Sequence, residues 1–327
     1  MKVIIACICL SSSFAALSEE ITAEGIPPTG EVVSVEEIVS VEEIVSEKEN
    51  VPTVDVLQSQ LNTMMQDTAA WVDDIGSDDS NGNKNKGSAN GYLQLSWLPR
   101  TADLGDVDVN FKVSLHLPKW DERFALVIDN NDEDELLLDY ESKDIDNEQE
   151  GINFAFQYIK RFGQDRQVKN RVGFSRSQVY LRSEIQFNWQ VQHVDFSLQP
   201  RLTYFLEDGW EPSIKTAAAY PLESSSLSLS ASWQQLQTEA NTRRKIGFYH
   251  IKPTGKNQLL VSGVQYSKSN DAEDIPNENY FISIRYRNLM YKSWMYYEVE
   301  PFAEFNQAND FNTEVGIIFS LISYYGH

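Results

Sequence analysis

The chain has 327 residues and a formal net charge of -22, with 41% hydrophobic and 12% aromatic residues. A surface this acidic repels phosphate backbones, so a nucleic-acid partner is excluded. The length and the apolar content suffice for one large domain or two smaller ones. The acidic excess is concentrated near the N-terminus, since residues 19–90 hold 16 Asp and Glu against 3 Lys.

The first 18 residues have the pattern of a secretory signal peptide. Lys2 precedes an apolar run, and small residues up to Ser18 offer cleavage points. Cys7 and Cys9 are the two cysteines of the chain, and both lie in this segment. We therefore expect an exported protein whose mature form has no disulfide. Lipidation of Cys7 or Cys9 is the alternative, although the apolar run before them is short.

Three segments follow this leader. Residues 19–53 repeat the motif VSVEEI and are acidic and almost free of aromatics, which is typical of a disordered segment. Residues 54–75 place apolar side chains at three- and four-residue steps, as an amphipathic helix does. Residues 76–91 form a linker rich in Gly, Asn and Ser. The predicted apolar stripe of the helix consists of Leu57, Leu61, Met64, Trp71 and Ile75.

From residue 92 to the C-terminus the hydrophobic period becomes two, as in β-strands. In residues 107–117, every odd position is apolar and every even position is polar, and residues 179–191 alternate almost as regularly. We predict fourteen strands, with twelve as the alternative because the first, tenth and eleventh are the weakest. The predicted strands cover residues 92–98, 107–117, 122–129, 151–160, 167–175, 178–191, 193–206, 209–220, 226–237, 244–252, 257–268, 279–288, 293–305 and 311–323.

The apolar face of these strands meets either a protein core or lipid. Many predicted strands reach ten residues, which exceeds the usual soluble strand and matches the roughly 9–11 residues of a bilayer-crossing strand. The two longest connections, 129–150 and 268–279, both follow odd-numbered strands, as extracellular loops do. Lipid-facing strands leave no edge unpaired, so the sequence predicts an all-β fold with a closed antiparallel transmembrane β-barrel. A soluble secreted β-sandwich is the alternative.

The C-terminal segment EVGIIFSLISYYGH resembles the assembly signal of bacterial outer-membrane β-barrel proteins. The matching positions are Glu314, Gly316, Phe319 and Leu321. The usual signal ends the chain on an aromatic residue, whereas this chain continues to His327. The resemblance covers residues 92–327 and implies a place in the cell outer membrane. It also implies outer-membrane lipid, lipopolysaccharide and the barrel assembly machinery as partners.

Charged side chains on the polar face would line the inside of such a barrel. Antiparallel register around turns near 191–194 and 289–293 brings acidic and basic positions together, for example Glu184 opposite Arg201. These groups either line a selective pore or fill a narrow barrel as structural ion pairs. The predicted lumen-facing charges are Lys112, Arg182, Glu184, Arg201, Arg285, Arg287, Glu298 and Glu300.

The connection 129–150 carries 11 acidic residues and a single lysine. It could bind divalent cations, but it lacks the glycine and the ligand spacing of a calcium loop. The simpler interpretation is a solvated loop.

No hydrolase or metal motif of the HExxH, GxSxG or Cys/His kind occurs, so we predict no enzyme activity, catalytic residue, metal ligand or cofactor. His116 beside Ser114 and His193 near Asp195 are the histidines that a lipid hydrolase would use. The predicted function is a porin-like passive channel or a structural surface component. An outer-membrane lipid hydrolase is the alternative from another class.

The role of the helix 54–75 stays open at this level. It could plug the barrel, coil with a copy of itself, or bind a periplasmic partner through Leu61 and Trp71. It could also lie against the periplasmic mouth of the barrel.

Overall fold

The computed structural model describes residues 53–75, 87–101, 104–118, 123–130, 140–141, 151–163, 165–237, 242–270 and 276–326. The predicted signal peptide 1–18, the acidic segment up to residue 52 and most of the linker 76–91 lie outside the described residues.

One helix and fourteen strands make up the described chain. The helix α1 covers Thr53–Ile75. The strands are β1 Ser88–Trp97, β2 Val107–His116, β3 Phe124–Asp129, β4 Asn153–Phe162, β5 Arg166–Ser175, β6 Gln178–Val191, β7 Val194–Phe205, β8 Gly209–Pro221, β9 Ser226–Gln235, β10 Thr242–Gly255, β11 Gln258–Asn270, β12 Pro276–Tyr291, β13 Met295–Asn306 and β14 Thr313–Tyr325.

Each strand pairs antiparallel with the next one in the chain, and β1 pairs with β14 to close the barrel. The closing seam runs from Gly91 opposite Tyr325 to Trp97 opposite Phe319. Closure supplies both neighbours to every strand, so no edge is left for lipid or for another chain. The prediction of a closed fourteen-stranded barrel is confirmed, and the twelve-stranded and sandwich alternatives are wrong.

Some strand limits differ from the predicted ones. β1 begins at Ser88, four residues before the predicted start at 92. β11 continues to Asn270 and β12 begins at Pro276, so the connection between them is 271–275. The prediction of a long loop at 268–279 is therefore wrong. The ladder between these two strands continues as far as Asn270 opposite Pro276, so polar residues at their ends also take the strand conformation.

The side chains are distributed inside out compared with a water-soluble protein. Large apolar side chains on one face of the strands are exposed, including Leu95, Phe156, Leu181 and Phe248. The opposite face holds polar and charged side chains that are buried within the barrel. Charged groups are rarely buried unless they are paired. Apolar faces that are exposed on many strands indicate an apolar surrounding, such as lipid. The outer face is therefore lipid-facing, and the inner face encloses a polar lumen.

Two ends of the barrel can be distinguished. The loop end carries the connections 98–106 and 130–152, which are the longest. The turn end carries the start of β1, the end of β14 and short turns such as 192–193. Outer-membrane barrels place longer loops outside the cell and short turns in the periplasm, so the loop end is the extracellular one.

The helix α1 packs against the outer face at the turn end. Ala69 is buried against Ala89, Leu115 and Leu117, which share the lipid-facing side of β1 and β2. The helix therefore lies outside the barrel, and the idea that it plugs the barrel is wrong. Among the described residues, no helix is long and apolar enough to cross a membrane.

A glutamine joins this helix to the sheet. Gln66 Nε2 donates to the Ala89 carbonyl at 2.8 Å, and its Oε1 accepts from the Ala89 N–H at 3.0 Å. The β1–β14 ladder begins only at Gly91, so Gln66 pairs with backbone that β14 does not reach. Met64, one member of the predicted apolar stripe, is 55% exposed, and the side chains of the other four members lie outside the described residues.

Candidate functional site

A dipeptide from the β3–β4 connection lies inside the lumen. The Glu141 carboxylate accepts from Lys215 Nζ at 2.5 Å and also from the Ser230 hydroxyl. Arg285 Nη2 donates to the Glu141 backbone carbonyl at 3.3 Å. Lys215, Ser230 and Arg285 all point inward from β8, β9 and β12. Glu141 is therefore held by three strands of the barrel wall.

Tyr140 fixes the same dipeptide through a second set of contacts. Its hydroxyl is 2.5 Å from the Ser228 hydroxyl on β9. Its ring meets the Tyr249 ring edge-on, with centroids 5.2 Å apart and an angle of 62° between the planes. Tyr249 is buried and donates to Gln265 Oε1 at 2.9 Å. The contact joins an aromatic pair to a hydrogen-bonded network, and both restrict the position of the dipeptide.

Two glycines create the space for Tyr249. A Cβ on Gly247 would lie 2.4 Å from the Tyr249 ring, and a Cβ on Gly263 would also lie 2.4 Å from it. Gly247 precedes Tyr249 by two residues on β10, and Gly263 is opposite Tyr249 on β11. The ring can therefore lie flat on the wall and turn its free side toward Tyr140.

The dipeptide is anchored at mid-depth on the wall opposite its origin. β10 and β11 are seven strands away from β3 and β4 in the closed order, and the anchoring strands surround them. Lys215 is the middle residue of β8, and Tyr249 is near the middle of β10. Tyr140 and Glu141 are therefore held on the wall opposite β3 and β4. The dipeptide Tyr140–Glu141 is called the lumen constriction below.

Ion pairs line the wall on either side of the lumen constriction. On β5–β7, the Glu184 carboxylate accepts from Arg201 Nη2 at 2.8 Å and from Lys169 Nζ at 3.2 Å. On the same side, Arg182 Nε donates to the Thr203 hydroxyl at 3.1 Å. Glu184 is directly opposite both Lys169 and Arg201 in the ladders, so the alternation of β-strands by itself brings these charges together.

A second group of ion pairs lies on β12 and β13. Arg285 Nε donates to Glu300 at 2.7 Å, and Arg287 pairs with Glu298. Arg285 therefore contacts both the Glu300 carboxylate and the Glu141 carbonyl, which links this wall to the lumen constriction.

Lys112, the remaining predicted lumen charge, is opposite Asp129 in the β2–β3 ladder. All eight predicted lumen charges lie on the inner face.

The pair at the lumen constriction is the most buried of these. The side chains of Lys215 and Glu141 are each 2% exposed. Charges removed from water to this degree require both a partner and additional hydrogen bonds, and breaking one such pair costs about 3–5 kcal/mol. Ser230 supplies an additional hydrogen bond to Glu141. The pair therefore fixes the lumen constriction far more firmly than a surface ion pair would.

The lumen constriction is not among the features predicted from the sequence. The interpretation of residues 129–150 as a solvated loop is wrong for Tyr140 and Glu141, while residues 131–139 and 142–150 lie outside the described residues. Three signals were present: a connection much longer than a hairpin needs, the inward serines of β9, and two glycines facing one tyrosine. None of them indicates which residue of the connection is bound.

The four residues of the predicted assembly signal lie along β14. Phe319 and Leu321 are exposed on the lipid-facing side. Glu314 and Gly316 point inward, and Glu314 is 3.7 Å from the Arg100 guanidinium. A Cβ on Gly316 would lie 2.5 Å from the Phe302 ring. Local packing thus accounts for the glycine, and an assembly role stays a prediction.

The histidines considered for a hydrolase lie apart from the lumen constriction. His116 ends β2 and is exposed, and His193 is exposed in the 192–193 turn. Among the described residues, no group of three His, Cys, Asp or Glu side chains could hold a metal ion.

The closed ladder, the lipid-facing exterior and the ion-paired lumen define the chain as an outer-membrane β-barrel protein. The protein lies in the cell outer membrane. Comparison with protein-family models and with curated protein sequences finds no match.

Several solved structures are similar. A loop L8 deletion mutant of OmpT, an outer membrane protein of Vibrio cholerae, is 9% identical with a TM-score of 0.48, over 73% of this chain and 99% of that one. The outer membrane channel DcaP of Acinetobacter baumannii is 8% identical with a TM-score of 0.47, over 73% and 97%. The anion-selective porin from Comamonas acidovorans is 9% identical with a TM-score of 0.43, over 73% and 99%.

Proposed function

We propose that the protein is a porin-like passive channel whose lumen is narrowed at mid-depth by Tyr140 and Glu141. One observation carries this proposal: Tyr140 and Glu141, from a long extracellular connection, are anchored to the far wall of the lumen. A barrel that served as an anchor alone would not need such a segment. Interior side chains decide the conductance of a barrel of this size.

The lining suits the passage of small polar solutes. Acidic and basic groups alternate around the lumen constriction, and they are held by partners rather than left mobile. Fixed charges of both signs create a polar path with a defined local field, which selects solutes by size and charge. No step in such passage needs a cofactor or a catalytic residue, so we propose that the protein is not an enzyme.

A closed barrel that serves as a structural surface component is the second candidate. The near-complete burial of Lys215 and Glu141 favours it, because tightly paired interior charges can simply fill a narrow lumen. The two functions differ in one measurable property, the electrical conductance of the folded protein in a lipid bilayer.

Planar-bilayer recording tests the proposal. We expect discrete conductance steps from the wild-type protein, and larger steps from the double variant Tyr140→Ala and Glu141→Ala, because it removes the side chains that hold the lumen constriction. Asp310→Asn is the matched control, since it removes one negative charge at an exposed turn outside the lumen. Its conductance should equal that of the wild type.

Each alternative outcome has a distinct meaning. Silence from both the wild type and the double variant, with both proteins folded, would favour the closed structural barrel. Equal conductance in both would show that the lumen is narrowest elsewhere. Release of fatty acid from outer-membrane phospholipid by the purified wild type, lost in His116→Ala, would establish the lipid hydrolase instead.

A further inference from the structure

Apolar side chains interrupt the polar lining of the lumen between the lumen constriction and the turn end. Leu259 and Val261 are on the inner face of β11, and Ile251 of β10 is opposite Val261. Val261 is buried. Ile251 follows Tyr249 by two residues toward the turn 256–257, so these apolar residues lie on the turn side of the lumen constriction.

Two ion pairs border these apolar residues. Arg287 is opposite Leu259 in the β11–β12 ladder and donates to Glu298 on β13. Arg285 pairs with Glu300 in the same way. Because both guanidiniums reach toward β13, a cleft stays open between them and β11, with about 190 Å³ of empty space that includes its opening to the lumen. This lumen cleft is lined by Leu259, Val261, Arg285, Arg287 and Glu298.

The pair of Arg287 and Glu298 favours a neutral ligand over an ion. A guanidinium has more donors, and a carboxylate more acceptor sites, than the one hydrogen bond between them uses. An anion would have to displace Glu298, whose side chain is 8% exposed, and separating such a pair is costly. A neutral hydroxyl group can bond to either member while the pair stays intact.

A tyrosine ring extends the lumen cleft toward the mouth at the turn end. Tyr296 precedes Glu298 by two residues on β13, so both side chains are on the inner face. The Tyr296 ring meets the Tyr324 ring edge-on, with centroids 5.7 Å apart and an angle of 88° between the planes. Tyr296 is half-buried, so part of its ring adds apolar contact area beside the charged pair.

We propose that the lumen cleft binds a neutral sugar as it passes through the channel. A pyranose ring carries hydroxyl groups around its edge and C–H groups on its faces. The hydroxyl groups bond to Arg287 and Glu298, and the C–H faces contact Leu259, Val261 and Tyr296. Ligand sites commonly combine an apolar lining with a few well-placed polar groups. The inference rests on the proposed channel function and names its substrate class.

Equilibrium dialysis of the folded protein, in a detergent without a sugar headgroup, tests this site whether or not the lumen conducts. The probes are maltose, a neutral disaccharide, and benzoate, an anion with an apolar ring. Protein-free micelles give the blank. We expect maltose to bind the wild type and benzoate not to bind it.

The double variant Arg287→Leu and Glu298→Leu removes the polar groups of the lumen cleft. It leaves no unpaired charge, so the barrel should still fold. Maltose should bind about tenfold more weakly, because hydrogen bonds to charged groups are lost. The double variant Lys268→Leu and Glu278→Leu is the matched control, since it removes an ion pair of β11 and β12 on the outer face. It should bind maltose like the wild type.

Leu259→Ala tests the apolar side of the lumen cleft. Maltose should bind about fivefold more weakly, because apolar contact area is lost. Leu260→Ala is the control, since Leu260 is the next residue on β11 and faces lipid. Its maltose binding should equal that of the wild type.

The proposal is overturned if maltose does not bind the wild type, or if benzoate binds and displaces maltose. It is also overturned if the Arg287 and Glu298 double variant, or Leu259→Ala, binds maltose like the wild type. Planar-bilayer recording separates this result from the channel function. Conductance without maltose binding would retain the channel and remove the sugar site, whereas maltose binding without conductance would retain the sugar site and remove the channel.

Discussion

At the scale of single residues, buried charge pairs govern both stability and the shape of the lumen. Glu184 satisfies two cations at once, and Glu141 is held by a lysine, a serine and an arginine. Each of these carboxylates lies inside the barrel, where an unpaired charge is expensive. Substitutions here therefore have larger effects than substitutions of surface ion pairs.

Glu184→Gln tests this expectation. The variant leaves Arg201 and Lys169 close together without a counter-charge, so the free energy of unfolding should fall by about 3 kcal/mol. Glu278→Gln is the control, because its pair with Lys268 lies at the loop end and is partly exposed, so polar surroundings screen it and the loss should be far smaller. Urea unfolding in lipid vesicles, followed by tryptophan fluorescence, measures both. Equal losses in the two variants would contradict the argument.

Gly263→Ala tests whether the position of the Tyr249 ring depends on the space beside this glycine. The new methyl group would lie 2.4 Å from the Tyr249 ring, so the ring must leave the wall. We expect the free energy of unfolding to fall by about 1–3 kcal/mol, as for other overpacked sites, and the bilayer conductance to change because Tyr140 loses its partner. Gly255→Ala is the control, since its methyl group meets the flexible Gln258 side chain. Unchanged conductance in Gly263→Ala would show that Tyr249 does not determine the position of the lumen constriction.

At the scale of elements, strand alternation explains the architecture of the barrel, whereas the position of the helix α1 has a different cause. Period two sorts lipid-facing from lumen-facing side chains on every strand, and adjacent ladders then fix which charges meet. The helix α1 follows a different rule. It docks through hydrogen bonds from Gln66 to the Ala89 backbone and through the apolar packing of Ala69. A partner for its remaining surface stays a prediction.

Gln66→Ala tests the docking of this helix. The variant removes two hydrogen bonds to Ala89 and should weaken helix docking by about 1–3 kcal/mol. Maleimide labelling of Ala69→Cys measures it, because Ala69 lies on the docking face of the helix and is fully buried against the barrel. We expect faster labelling when Gln66→Ala is added, and no change when Asp67→Ala, an exposed neighbour, is added instead. Slow labelling in both would mean that apolar packing alone holds the helix.

At the scale of the whole molecule, closure of the β1–β14 seam determines how the protein behaves. Every strand then has two neighbours, so opening the barrel breaks a complete ladder of hydrogen bonds in a medium that offers no replacement. The folded barrel should resist dodecyl sulfate until it is heated. The lipid-facing exterior should also make extraction depend on detergent.

A heat-modifiability gel measures this property. The unboiled wild type should migrate faster than the boiled protein, and membrane fractionation should recover it from the outer membrane. Leu95→Pro removes an N–H from the seam, where Leu95 is opposite Leu321, so the fast band should be lost. Glu223→Pro, in the exposed turn between β8 and β9, should retain it. A fast band in Leu95→Pro would show that the seam stays closed when one backbone hydrogen bond is missing.

Local patterns in the sequence determined the barrel and much of its lining. Alternation needs only neighbouring positions, so it gave fourteen strands, the lipid-facing side, and pairs such as Glu184 with Arg201 across a tight turn. Strand ends were harder to place, as at Ser88 and Asn270, because polar residues extend a ladder whenever the adjacent strand continues.

Only the tertiary structure decided what lies inside and against the barrel. Tyr140 and Glu141 meet partners that are 74 to 144 residues away in the chain, and these partners converge only once the barrel has closed. The helix face was equally hidden, because Gln66 pairs with backbone that is unpaired only where β14 ends. Periodicity reports which side of its own element a residue faces. Periodicity carries no information about which distant part of the chain the residue contacts in the folded protein.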